Sequence, residues 1–133
     1  MDNNGSQVNQ TTASRTILMV EDDLPMVKMY STKLKIEGFE VIVAHDGEEG
    51  LKKLREQSVN LVLLDLMIPK LGGMEVLEKM RQEEKTKKMP VVILSNLSQE
   101  EDIQRASELG VKNFLIKSNY TPSQVVKVVK SYF

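Results

Sequence analysis

Leu61-Val62-Leu63-Leu64 is a continuous apolar run, too short for a helix, and Asp65 ends it at once. A strand that is apolar at every position, rather than every second one, has to be buried on both faces. That occurs in parallel sheets, where helices cover each side. Pro69, Gly72 and Gly73 then break the backbone into a loop. Asp65 therefore falls at the carboxyl end of a buried strand, where open α/β sheets bind ligands. A carboxylate there is either placed for chemistry or serves as an ordinary cap or turn aspartate, and this stretch alone leaves both readings open.

The rest of the chain supplies partners for such a strand. Thr16–Val20 (TILMV) is a first apolar strand, followed by Glu21, Asp22 and Asp23. Asp23 precedes Leu24-Pro25 and is suited to cap a helix with proline near its start. Met26, Val27, Tyr30 and Leu34, with Met29, form the apolar stripe of that helix, which Gly38 stops. Phe39–Ala44 reads as a second strand, His45-Asp46-Gly47 as a turn, and 48–57 as an amphipathic helix using Leu51 and Leu54. After the central strand, 74–84 reads as a helix with Val76, Leu77 and Met80 inward, and 83–88 (EEKTKK) as a solvated loop.

Residues 90–94 (PVVIL) make a fourth strand ending at Ser95. Ser98 and Glu101 fit a capping box that starts a helix at Gln99, ended by Gly110. Residues 111–116 (VKNFLI) make a fifth strand ending at Lys117. Thr121 and Gln124 form another capping box, with Pro122 at the first helical position. Val125, Val128, Val129 and Tyr132 are the inward face of the last helix. Five β-α units with short connections predict an α/β, doubly wound (βα)5 fold: a five-stranded parallel sheet with right-handed crossovers and helices on both faces.

At 133 residues, 41% of them hydrophobic, the chain has the size of one domain with one core. Residues 1–14 are polar and aperiodic and read as a disordered tail, leaving 15–133 as the domain. Eighteen basic and 19 acidic residues give a net charge of −1, without the basic excess expected for direct contact with nucleic acid or an anionic membrane. Absence of cysteine excludes disulfides, zinc ribbons and thiol catalysis, and is compatible with the cytoplasm, the expected location. No apolar run approaches the roughly 18 residues of a membrane span.

In a parallel sheet all carboxyl ends share one edge, so Glu21, Asp22, Asp23, Asp65, Ser95 and Lys117 should converge. Capping accounts for Asp23 and leaves Glu21 and Asp22 without an ordinary role. Clustered carboxylates with one lysine suit a hard divalent cation, Mg²⁺ or Mn²⁺, together with a phosphate. Asp65 would then be a nucleophile toward phosphorus, and Ser95 a hydrogen-bond donor to a phosphoryl oxygen. Each residue alone also has a plain reading: Lys117 as a solvated strand end, Ser95 as a turn former. The only histidine, His45, reads as an exposed turn residue.

The segments ILMVEDD (17–23), LVLLDLMIPKLGG (61–73), VVILSN (91–96) and FLIK (114–117), with the spacing of Asp22, Asp65, Ser95 and Lys117, carry a resemblance. Over 15–133 the chain resembles the receiver domain of bacterial two-component response regulators, a flavodoxin-like fold. The resemblance implies that Asp22 and Asp23 hold Mg²⁺, with Asp65 as phosphoacceptor and further ligand and Met67 contributing its backbone carbonyl. It makes Ser95 the switch hydroxyl, Lys117 the ion pair that senses the phosphoryl group, and Phe114 the aromatic switch, a position that a core aromatic would also fill.

Three departures from the family pattern stand out. Ser118 replaces the proline after the lysine, so the cis peptide common there is not expected. Asn96 stands where the family prefers a very small residue, which would narrow access to the phosphoryl group. Val59-Asn60 replaces a frequent Pro-Asp without evident consequence. Met67 and Leu97 fall at two positions that influence loss of the phosphoryl group in this family. Neither can orient a water, so slow self-dephosphorylation is expected.

The function implied is a phosphorylation switch, not an enzyme acting on an external substrate. A sensor histidine kinase or phosphotransfer protein donates to Asp65. The change reads out on the face of the fourth helix, fifth strand and fifth helix, to an output protein the sequence does not name, with phosphorylation-dependent dimerisation as one form of output. Because the chain ends with the last helix, a stand-alone receiver or relay component is expected, although a receiver cut from a larger protein would read the same. A degenerate receiver that binds partners without phosphorylation is the alternative, favoured by Asn96 and Ser118 and opposed by the intact acids, Ser95 and Lys117. A Mg²⁺-dependent phosphatase would want a general acid where Met67 stands. A flavin- or nucleotide-binding domain would want a phosphate loop where Glu21-Asp22-Asp23 stands.

Overall fold

The computed structural model describes residues 15–97 and 99–133. The expected tail, 1–14, and the Ser98 half of one capping box lie outside the described residues. Five strands and five helices alternate: β1 Thr16–Val20, α1 Leu24–Ile36, β2 Glu40–Ala44, α2 Gly47–Glu56, β3 Leu61–Leu64, α3 Gly73–Gln82, β4 Val91–Ser95, α4 Glu100–Glu108, β5 Asn113–Ile116 and α5 Pro122–Lys130. All four strand pairs are parallel, in the order β2-β1-β3-β4-β5. The doubly wound fold is therefore as the sequence implies, with element ends moved by one or two residues. No peptide bond among the described residues is cis, including the one before Ser118.

Alternation along each central strand splits the core in two. Ile17 and Met19 of β1, with Leu61 and Leu63 of β3, pack under α1 and α5 against Tyr30, Leu34, Val125 and Val129. Leu18, Val20, Val62 and Leu64 face the other way, against Leu51, Leu54, Val76, Leu77 and Met80 of α2 and α3. All four residues of β3 are buried, and each leucine contributes about 2 kcal/mol of apolar burial. One expected core position differs: Met29 is 38% exposed on the outer side of α1. In α5, Val126 is buried along with the expected Val125 and Val129, and Val128 packs partly buried against the same core.

The 83–88 loop also differs from expectation. Thr86 is buried and its hydroxyl donates to the Met80 carbonyl at 2.6 Å. Beside it Arg81 donates to the carbonyls of Leu109 (2.7 Å), Thr86 (3.0 Å) and Met89 (2.9 Å). These bonds tie the end of α3 to the segments entering β4 and β5 at the amino edge of the sheet. At the same edge the Arg15 guanidinium lies 4.2 Å from the Phe39 ring centre and 5.9 Å from that of Phe133. The two rings meet edge to face, an arrangement that stabilises by about 1 kcal/mol beyond its burial.

Candidate functional site

β1 and β3 are adjacent, but the chain leaves β1 toward β2 on one side and β3 toward β4 on the other. Their carboxyl ends thus flank the switch point of the sheet, where a crevice opens. Hydrogen bonding holds the backbone there: Asp65 N–H donates to the Val20 carbonyl at 3.1 Å and Glu21 N–H to the Ala44 carbonyl at 2.9 Å.

Asp65 is buried and both oxygens of its carboxylate accept hydrogen bonds. Oδ1 accepts from the Ser95 hydroxyl at 2.7 Å and the Met67 N–H at 3.0 Å, and Oδ2 from Lys117 Nζ at 2.9 Å. Lys117 also pairs with Glu21 Oε1 at 2.9 Å. Ser95, fully buried at the end of β4, accepts in turn from the Leu97 N–H at 3.2 Å. Three strand ends distant in sequence thus meet on one carboxylate.

Carboxylate oxygens of Glu21, Asp22 and Asp65 all lie within 4.8 Å of one another. Asp23, expected among the metal ligands, is not in this group. Its Oδ1 accepts from the Met26 N–H as the cap of α1, and Glu21 takes its place, inward and 2% exposed. β1 turns Glu21 in, and the start of α1 turns Asp23 out.

Burial pushes the Glu21 carboxyl above its ordinary value; the Lys117 hydrogen bond opposes this, and the nearby Asp65 charge adds to it. For Lys117 burial works against the charge, but hydrogen bonds to Glu21 and Asp65, with their charges, outweigh it and hold the ammonium above the usual lysine value. One cation facing three carboxylates leaves an excess of negative charge. A hard donor set of this kind suits a divalent ion of the Mg²⁺ type.

The loop after Asp65 is held from both sides. Gly73 opens α3 so close to the acidic strand end that a Cβ there would lie 2.4 Å from the Asp65 carbonyl oxygen. Lys70 adopts φ +68° and its ammonium sits 3.6 Å from Asp46, the cap of α2. Met67, between these anchors, is 60% exposed. Phe114, two register steps inside the Ser95–Ile116 pair, is half-buried and packs on the α2/α3 side of the core, so it lies beside the site rather than in it. His45 is exposed in its turn.

An open parallel sheet in this order, with a carboxylate pocket at its switch point, defines a doubly wound α/β domain with an acidic site at its carboxyl edge. The sequence matches the response regulator receiver domain over residues 17–130. It is 42% identical over 101 residues to the transcriptional regulatory protein CpxR of Escherichia coli K12, covering 76% of this chain and 42% of that protein. It is similar to a CheY-like receiver domain from Methanospirillum hungatei JF-1, with TM-score 0.82, 26% identity, and 89% and 92% of the two chains covered. The phosphorylated cyanobacterial phytochrome response regulator RcpA gives TM-score 0.75 and 31% identity, with 89% and 90% covered.

The chain belongs to the response regulator receiver domain family. Receiver domains are phosphoacceptor signalling switches of two-component systems and bind Mg²⁺ at an acidic pocket. The chain spans about half the length of the curated relatives it matches. Among the described residues no helix is long and apolar enough to cross a membrane.

Proposed function

We propose that Asp65 accepts a phosphoryl group from the phosphohistidine of a sensor kinase or phosphotransfer protein, in the cytoplasm. The observation that carries this reading is the Asp65 carboxylate at the end of β3, which Ser95 of β4 and Lys117 after β5 both contact, with Glu21 of β1 joined to it through Lys117. A carboxylate oxygen attacks phosphorus, the phosphorus–nitrogen bond breaks, and the histidine nitrogen keeps the electron pair. Lys117 then follows the charge from carboxylate to phosphoryl oxygen, and the Ser95 hydroxyl, released from Oδ1, turns to donate to the same group.

Asp22, Asp65 and the Met67 carbonyl would hold the divalent ion, Mg²⁺ or Mn²⁺, with Glu21 beside them and Asp23 left to its cap. When bound, that ion supplies positive charge against the phosphoryl oxygens. Phe114 is the adjoining switch, and the α4-β5-α5 face next to it reads out the state. Output is by contact with another protein, through a receiver domain that extends from 15 to 133. The near-complete cover of the Methanospirillum receiver supports that extent.

The test is the mass of the intact protein after incubation with a small acyl phosphate, with and without Mg²⁺, for the wild type and Asp65→Asn. A metal-dependent gain of one phosphoryl group, absent in the variant, is expected; no adduct with donor and metal in excess overturns the reading. Met67 and Leu97 carry no group that can align a water. Met67→Asn and Leu97→Glu should therefore each speed loss of the adduct by about tenfold, followed by mass over time.

A further inference from the structure

The net charge of −1 conceals a division between the two helical layers. Lys28, Lys33 and Lys35 lie on α1 and Lys127 and Lys130 on α5, with no acidic residue inside either helix. In the opposite layer α4 holds Glu100, Glu101, Asp102 and Glu108 against Arg105 alone.

Between the last turn of α1 and the body of α5 runs an open groove of about 660 Å³. Val126 forms its buried floor and Ile36 stands on its wall, 76% exposed, the most exposed large apolar side chain among the described residues. Leaving an isoleucine in water forgoes about 2 kcal/mol of burial that a partner would recover. Lys33 and Lys127 edge the groove, and Lys130, bonded to Glu37 at 2.8 Å, joins the two helices beside it. Because α1 begins next to Asp22 and ends at the amino edge of the sheet, its last turn faces away from the acidic pocket.

We propose that this groove docks an amphipathic helix of a partner protein, its apolar stripe over Ile36 and Val126 and its acidic flanks toward Lys33 and Lys127. Shape and charge select that occupant. A second copy offering the same face brings lysine against lysine. A membrane calls for a convex apolar ridge rather than a trough. Nucleic acid presents phosphates along its length, which the Glu37 carboxylate in the groove lining opposes, and it offers no apolar face to cover Ile36. Docking there is independent of phosphorylation at Asp65.

The probe is a stapled helical peptide with leucines at i, i+3, i+4 and i+7 and glutamates on both flanks, titrated into the ¹⁵N-labelled full chain. Shifts centred on Ile36, Val126 and Lys127 are expected. They should weaken with salt, weaken by about tenfold in Lys33→Glu/Lys127→Glu, and persist in Asp65→Asn. Ile36→Ser, at an exposed position, should lose binding while leaving the thermal unfolding midpoint in place. Four results would overturn the proposal: no shifts, equal binding of a peptide with lysine flanks, the same shifts produced more strongly by phosphatidylglycerol vesicles, or concentration-dependent self-association that buries the groove.

Discussion

Two half-buried cations mark the opposite edges of the sheet, and they are satisfied in opposite ways. At the amino edge Arg81 is surrounded by carbonyls, from Leu109, Thr86 and Met89. Burial lowers its pKa with no carboxylate to restore it. At the carboxyl edge Lys117 is shared between Glu21 and Asp65, and those partners raise it. Carbonyl dipoles are fixed by the fold and keep the same strength whatever happens in solution. Carboxylates can be protonated, bound by metal or esterified, and each event changes what Lys117 feels. The first arrangement is a clasp; the second can respond.

Separating the two by mutation gives the largest contrast. Lys117→Met should slow phosphoryl gain from a small donor by about a hundredfold, the scale of one lost charge-stabilising group. Arg81→Met should leave that rate at the wild-type value. A time course of intact mass for both variants decides it, and equal slowing in the two would erase the distinction. Next in size is stability: Arg81→Met leaves three carbonyls without their donor and should lower the unfolding free energy by about 2 kcal/mol in urea titration.

The smallest effect concerns pH, in protein kept free of divalent ions by a chelator. Glu21 has a folded-state pKa above its unfolded value, so the folded protein binds the extra proton. Its contribution to stability is fully present below the unfolded value and is lost as pH rises through the folded one. Stability should therefore fall as pH rises through the range just above the ordinary glutamate pKa. Glu21→Gln should flatten that segment and raise the unfolding midpoint at neutral pH. A steeper slope in the variant would assign it to another group.

The alternation of strands and helices was legible because local chemistry sets it. Apolar quartets need burial on both faces, and Asp23-Leu24-Pro25 and Thr121-Pro122 announce helix starts. Convergence of Asp65, Ser95 and Lys117 followed from parallel strands having their ends on one edge. The choice among Glu21, Asp22 and Asp23 did not follow, because each is a carboxylate and the direction of each side chain decides. The capping role of Asp23 was the usable signal, and it already left Glu21 and Asp22 over. Arg81 and the buried Thr86 were invisible for another reason. The Leu109 carbonyl that Arg81 reaches is 28 residues away, and EEKTKK is as polar as any solvated loop. The uneven charge was hidden by cancellation, since the lysines of α1 and α5 offset the acids of α4 in the total while lying in the other helical layer.

The clasp of Arg15 over Phe39 and Phe133 brings the first and last described residues together at the amino edge. An anchor placed at either of these points, on a sensor chip or a bead, would hold the molecule by its underside and present the acidic pocket to the flow. Binding assays built that way would report on the pocket rather than on the handle.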